Sequence, residues 1–169
     1  MRCLGLRIMV ALLLLGPAAG YGQQAIPSIV GTSLSGRSLR LPADLPPGRS
    51  LLIVGFSRKS GDGAKEWGRQ LSLLSSYKVS YFQTPVMASL PRLLRGMVLG
   101  NIRKDVPARE QDFFVPIFDQ EQQWKQTVSY SSPDDPYLVV VDQQGVIQWQ
   151  AHGPPSRERL AALLRALTQ

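Results

Sequence analysis

Asp135-Pro136-Tyr137-Leu138-Val139-Val140-Val141-Asp142-Gln143-Gln144-Gly145 is the stretch on which the fold turns. Tyr137 to Val141 is an unbroken apolar run between turn formers, the pattern of a strand covered on both faces. Asp142-Gln143-Gln144-Gly145 makes a tight turn, and Val146 to Gln150 returns as the partner strand. Beyond it, Ser156 caps a helix in which Leu160, Leu163, Leu164 and Leu167 form one apolar face. Glu158 in its first turn and Arg165 near its end both suit the helix dipole.

Toward the N-terminus, Leu51 to Phe56 is a second buried-strand pattern. Ser57 to Gly63 reads as a polar loop, with Asp62 or Gly63 capping a helix over Ala64 to Tyr77 that carries Trp67, Leu71 and Leu74 on one stripe. Val79 to Met87 returns as a strand. Ser89 is the expected N-cap of the next helix, with Pro91 in its first turn and Pro107 ending it. Leu90, Leu93, Leu94, Met97 and Val98 fall at i, i+3, i+4, i+7 and i+8 of one face. Phe113 to Phe118 predicts a short strand and Gln120 to Val128 a short helix. Upstream, Ile29 to Leu41 alternates around Ser35-Gly36-Arg37 as a hairpin, and the three prolines of Pro42 to Gly48 make a loop. This order predicts an α/β sandwich with a mixed central sheet and an N-terminal β-hairpin. Trp67, Trp124 and Trp149 are expected in its core.

The chain has 169 residues, enough for one domain and a short appendage. Arg2 and Arg7 precede an apolar run from Ile8 to Leu15, then Gly16, Pro17 and the small residues Ala18, Ala19 and Gly20. That is the pattern of a secretory signal peptide over residues 1–20, cleaved after Gly20 or Gly22. The rival reading is a retained membrane anchor. Ile8 to Ala19 would span only roughly 18 Å as a helix, against the roughly 30 Å of a bilayer core. Residues 21–28 then form a linker, and 29–169 the domain.

One cysteine, Cys3, and one histidine, His152, exclude a disulfide scaffold, a cysteine-rich zinc site and an iron–sulfur cluster. With the signal removed no thiol remains, and 17 basic against 12 acidic side chains leave a net charge of +5. A basic exported domain suits an anionic lipid surface or an acidic protein, and export argues against nucleic acid.

Two stretches, Leu51-Leu52-Ile53-Val54-Gly55-Phe56-Ser57 and the Pro136 strand with its Asp-x-x-Gly turn, resemble the thioredoxin superfamily. The resemblance implies a thioredoxin-like three-layer sandwich, in which Pro136 is the cis proline facing the active-site loop. Aligned on Phe56, the superfamily's two redox cysteines fall at Gly61 and Ala64. Neither can be a nucleophile, so thiol chemistry is not expected. The chain also resembles the thioredoxin-like family that assists assembly of the mitochondrial ATP synthase and its membrane-embedded subunit a. The matching residues are Phe56-Ser57-Arg58, Leu99-Gly100-Asn101-Ile102-Arg103-Lys104 with Pro107 and Arg109, Tyr137 to Asp142, Gly145, Ile147 and Trp149, and Gly153-Pro154. With its signal, the chain would be an exported bacterial relative, periplasmic or peripheral to the inner membrane.

Candidate functional residues follow. Arg92, Arg95, Arg103, Lys104 and Arg109 stand against one acid, Asp105. They make either a binding surface, with Asn101, for a membrane-protein client or anionic headgroups, or a solvated helix face. Gly96 and Gly100 leave either a smooth face for a partner helix or a helix end. His152 is expected in a surface loop, and Asp134 and Asp135 in a turn; no cofactor or metal site is expected. The expected function is that of a non-catalytic chaperone or assembly factor. The alternatives are an enzyme using Asp62, Asp135 or His152 as acid–base groups, and a plain ligand-binding envelope protein.

Overall fold

The computed structural model describes residues 24–74 and 80–169. The expected signal peptide, and the junction where the first long helix was expected to end and the next strand to begin, lie outside the described residues.

Strands β1 (Ile29–Thr32) and β2 (Ser38–Leu41) form the expected antiparallel hairpin, turning at Gly36 with φ 95°. The central sheet contains β3 (Ser50–Gly55), β4 (Tyr81–Pro85), β5 (Tyr137–Val141) and β6 (Ile147–His152), in the order β4-β3-β5-β6. It is mixed: β3 runs parallel to β4 and antiparallel to β5, which pairs antiparallel with β6. Every residue of β3 and β5 is buried, as continuous apolar runs require.

The strand pleat sorts the core into two layers. Leu52 and Val54 of β3 join Phe82, Val139, Val141 and the hairpin's Leu39 and Leu41, around Trp124 of the short helix α3 (Glu121–Thr127). Leu51 and Ile53 point the other way, to Leu138, Val140, and Trp67 and Leu71 of helix α1 (Arg58–Ser72). Leu163 and Ala166 of helix α4 (Arg157–Thr168) close that side, with Ser156 as its N-cap. Trp149 packs at the margin of this layer, while Trp67 and Trp124 are wholly buried.

The segment after helix α2 (Arg92–Asp105) passes through a 3-10 turn at Ala108–Phe113 and runs beside β4. There Val115 N donates to Gln83 O and Ile117 N to Pro85 O, both at 2.8 Å. This is the short strand predicted over Phe113 to Phe118, reduced to two isolated parallel bridges.

Three expectations are corrected. Ser57 to Gly63 is not a loop capped by Asp62 or Gly63: α1 starts at Arg58, with Ser57 as N-cap. The Ser57 hydroxyl accepts from Ser60 N while Ser60 Oγ accepts from Ser57 N, a reciprocal cap that outweighs the cost of two glycines in the first turns. Helix α2 begins after Pro91, not at Ser89, and has no side-chain cap. The Asp135–Pro136 peptide is trans, and the cis X–Pro bond among the described residues is Leu41–Pro42. Trans is the ordinary preference, and here the turn closed by Asp135 N on Ser132 O delivers Pro136 to β5 without the other isomer.

Candidate functional site

Several elements converge on the N-terminus of α1. Ser60, wholly buried, accepts from Phe56 N and Ser57 N at 2.9 Å and donates to Ser57 O at 2.7 Å. Gly55 allows this approach, since a Cβ there would lie 2.8 Å from Ser60 Oγ. From the other side the Ser132–Pro136 segment is clipped to the helix. Asp134 accepts from Ser57 Oγ at 3.1 Å and from Lys59 Nζ at 3.2 Å. Hydrogen bonds from the Lys59 ammonium and the Ser57 hydroxyl hold the Asp134 carboxyl below the usual aspartate range. Pro136 packs on Gly63 so closely that a Cβ at Gly63 would meet its Cδ at 2.8 Å.

Beside Pro136 lies a polar pair with an aromatic floor. His152 Nδ1 sits 2.8 Å from Asp135 Oδ2, and the His152 ring stacks on Tyr137 at 5.4 Å between centroids. Tyr137 is buried, and its hydroxyl accepts from Ser131 N at 2.9 Å and Ser132 N at 2.8 Å. Phe56 and Tyr130 meet Tyr137 edge-on and stacked, respectively, at 5.8 and 5.9 Å.

A cavity of about 730 Å³ opens at the C-terminal ends of the parallel strands β3 and β4, between α1 and α2. Parallel strand ends of this kind are the usual ligand crevice of α/β sheets. Phe56, Arg58, Gly61 and Ala64 line one wall, Gln83 the sheet edge, and Asn101 and Ile102 the opposite wall. Its ionic groups balance, Arg58 and Lys65 against Asp62 and Asp105. At Gly61 and Ala64 the wall offers a backbone and a methyl group, with the Ser57 hydroxyl and the Lys65 ammonium on the same side.

Ser57, Arg58, Gly61 and Ala64 thus share one wall of this cavity, and Pro136 braces the same helix turns from behind. The basic block is split. Asn101 faces the cavity. Arg95 is half-buried, its guanidinium 4.3 Å over the Phe118 ring and its Nε donating to Leu90 O at 3.2 Å. Arg109 stands on the 3-10 turn, 3.5 Å from the Glu110 carboxylate. Arg103 and Lys104 are exposed on α2. Among the described residues no group of three His, Cys, Asp or Glu side chains is placed to hold a metal ion.

The sequence reading missed the Asp135–His152 pair and the Asp134 clip. A plain count back from the turn opposes Tyr137 to Ala151. A β-bulge at Val140/Val141 shifts the register by one, so Tyr137 faces His152, which ends β6. Asp134 offered no local signal, because its partners lie 75 and 77 residues away.

No family model matches the chain, and no curated protein matches it. Solved structures do. A thiol:disulfide interchange protein of the DsbE kind from Chlorobium tepidum is 15% identical with TM-score 0.57, over 86% of this chain and 96% of that one. BsSco, of the Sco family of cytochrome c oxidase assembly proteins, is 8% identical with TM-score 0.56, over 86% and 95%. The exposed lipoprotein thioredoxin of Streptococcus pneumoniae is 11% identical with TM-score 0.55, over 83% and 98%. These identities speak for architecture alone, and with the mixed sheet, the flanking helices and the Pro136 strand they make this a thioredoxin-like fold.

Proposed function

We propose that the chain is a non-catalytic, thioredoxin-like envelope protein that acts by binding, as a chaperone or assembly factor for a membrane protein complex. The observation that carries this reading is the cavity beside α1, whose wall holds Gly61 and Ala64 at the two positions where the resemblance would put redox cysteines. Such a wall retains a shaped crevice and gives up the chemistry. The N-terminal apolar run supports export, and BsSco is a neighbour of the same fold described as an assembly protein. The resemblance to the ATP synthase assembly family makes the membrane-embedded subunit of that enzyme the first client to examine.

The experiment is a deletion of the gene with quantitation of assembled envelope complexes on native gels. The expected result is loss of one assembled complex while its subunits are still synthesised, with the same complex co-purifying with the tagged chain. Unchanged complexes in the deletion would overturn the reading. Insulin disulfide reduction or thiol-dependent peroxide consumption above a buffer blank by the exported form would overturn its non-catalytic part. The Asp135–His152 pair favours one other reading, an acid–base enzyme without thiols. Turnover that His152→Ala abolishes would establish it.

A further inference from the structure

We infer that the outward face of α2 docks this domain onto an anionic lipid surface. The helix contributes no buried residue. At 100° per residue its positions divide into two arcs. Val98, Asn101, Ile102 and Asp105 face the cavity, and Leu99 with Ile102 packs toward Leu34 and Phe114. The opposite arc holds Arg92, Leu93, Met97 and Lys104, with Gly96 and Gly100 between them, and Arg103 at its edge, where it is exposed but also lines a second cavity with Leu99 and Asp119. Leu93 is 96% exposed and Met97 62%, and Leu94, in line with Asn101 and Asp105, is 44% exposed. Grouped on one helix, side chains this apolar mark an interaction surface.

Charge selects the occupant. The outward arc carries three cations and no acid, because Asp105 lies on the cavity side. Arg92, Arg103 and Lys104 form no ion pair among the described residues. A second copy of the chain is a poor fit, since a two-fold contact through this arc sets like charges against each other. A protein partner would need acids placed to match and a recess for Leu93. A headgroup layer needs neither. Leu93 and Met97 enter the acyl boundary, while the long stems of Arg92, Arg103 and Lys104 let their cations stay at phosphate level. Two or three apolar side chains give reversible, peripheral attachment, and the cations make it salt-sensitive. In that pose the cavity on the inner side of α2 stays open beside the membrane.

The experiment uses the chain from residue 21 onward, which lacks the apolar run 8–19 and keeps both core layers intact. It is sedimented with vesicles of phosphatidylcholine alone and of phosphatidylcholine mixed with phosphatidylglycerol. Binding is expected to the mixed vesicles and not to the neutral ones. Each cation at an anionic surface is worth about fivefold in affinity, so Arg103→Ala with Lys104→Ala should weaken binding about twenty-five-fold. Leu93→Ala with Met97→Ala should weaken it about tenfold or more. Both double variants should keep the wild-type melting temperature, because the changed side chains are exposed.

Equal binding to both vesicle types, or wild-type affinity in either double variant, overturns the inference. A dimer seen by sedimentation equilibrium and lost in Leu93→Ala would assign the face to a second copy and overturn it too. So would capture of an acidic membrane-protein domain with no vesicle binding. The inference stands apart from the assembly role: that last outcome leaves the role intact, and vesicle binding without any client removes the role alone.

Discussion

Helices α1 and α2 are nearly the same length, 15 and 14 residues, and each carries two or more glycines, yet they are held in opposite ways. Helix α1 begins on a reciprocal serine cap, buries Ser60, Ala64, Trp67 and Leu71, and is gripped at its start by Asp134 and Pro136. Helix α2 has no side-chain cap and no fully buried residue, and presents Leu93 and Leu94 to solvent while Leu99 and Ile102 are partly buried. Helix α2 has the looser attachment and the unmatched surface. Helix α1 is thus fixed from several sides, while α2 is held along one side, where Leu99 and Ile102 pack on Leu34 and Phe114.

The comparison breaks most visibly at Trp67. Its side chain is wholly buried and its Nε1 donates to Gly153 O at 2.9 Å, tying α1 to the end of β6. Trp67→Ala should cost about 3–5 kcal/mol, a large part of the 5–15 kcal/mol that holds a typical domain. Trp67→Phe keeps most of the apolar volume and loses the hydrogen bond, and should cost less. Urea midpoints for the two variants check the order. No substitution of an outward residue of α2 should approach either.

Next in size is Gly63→Ala. Helix propensity alone would favour alanine by about 1 kcal/mol. The new methyl, however, meets the Pro136 ring at 2.8 Å, and a ring inside a strand connection cannot swing aside as a flexible side chain would. Overpacking of this kind costs about 1–3 kcal/mol, so the variant should be less stable than the wild type. A rise in melting temperature would mean that Pro136 does not brace α1.

How much of this was legible follows from where the interactions run. The β5–β6 hairpin and α4 were readable because their signals are local. Asp142 Oδ1 accepts from Gln144 N and Val146 N, and Ser156 accepts from Arg159 N three residues on. The start of α1 was misread because Gly61 and Gly63 suggest a loop, while the serine pair that forms the cap lacks the usual glutamate at its third position. For α2 the apolar spacing correctly gave a helix. Spacing states that a face exists, though, and not whether anything covers it, so the exposure of Leu93 and Met97 was invisible. The Asp135–His152 pair was out of reach for a third reason, because the bulge that aligns it leaves no mark in the residues themselves.

The glycines of α2 sharpen the comparison by reversing its sign. A Cβ at Gly96 or Gly100 would meet nothing within 4 Å. Each Gly→Ala change there should therefore stabilise the domain, by about 0.5–1 kcal/mol, through helix propensity and a less flexible unfolded chain. Gly63→Ala, Gly96→Ala and Gly100→Ala measured side by side by thermal melting test one claim: the first should fall below the wild type, and the other two rise above it. Destabilisation at Gly100 would mean that another body already lies against α2 in the isolated protein.

The smallest expected effect concerns the clip at the start of α1 and is read through pH. Asp134 is held ionised by the Lys59 ammonium and the Ser57 hydroxyl, so its folded pKa lies below its unfolded one. A group of that kind contributes stability that is fully present above the unfolded value. The contribution is lost as pH falls through the folded value, because the unfolded chain then binds the proton more readily than the native one. Asp134→Asn removes the charge and keeps the shape. The variant should therefore be slightly less stable than the wild type at neutral pH, and the gap should close below the usual aspartate range. The Asp134 side chain is more than half exposed, so the gap should also shrink in high salt. Urea midpoints at neutral and strongly acidic pH, each at low and high salt, check both dependences. A gap that stays constant across pH would show that Asp134 holds the helix start through its hydrogen-bond geometry and not through its charge.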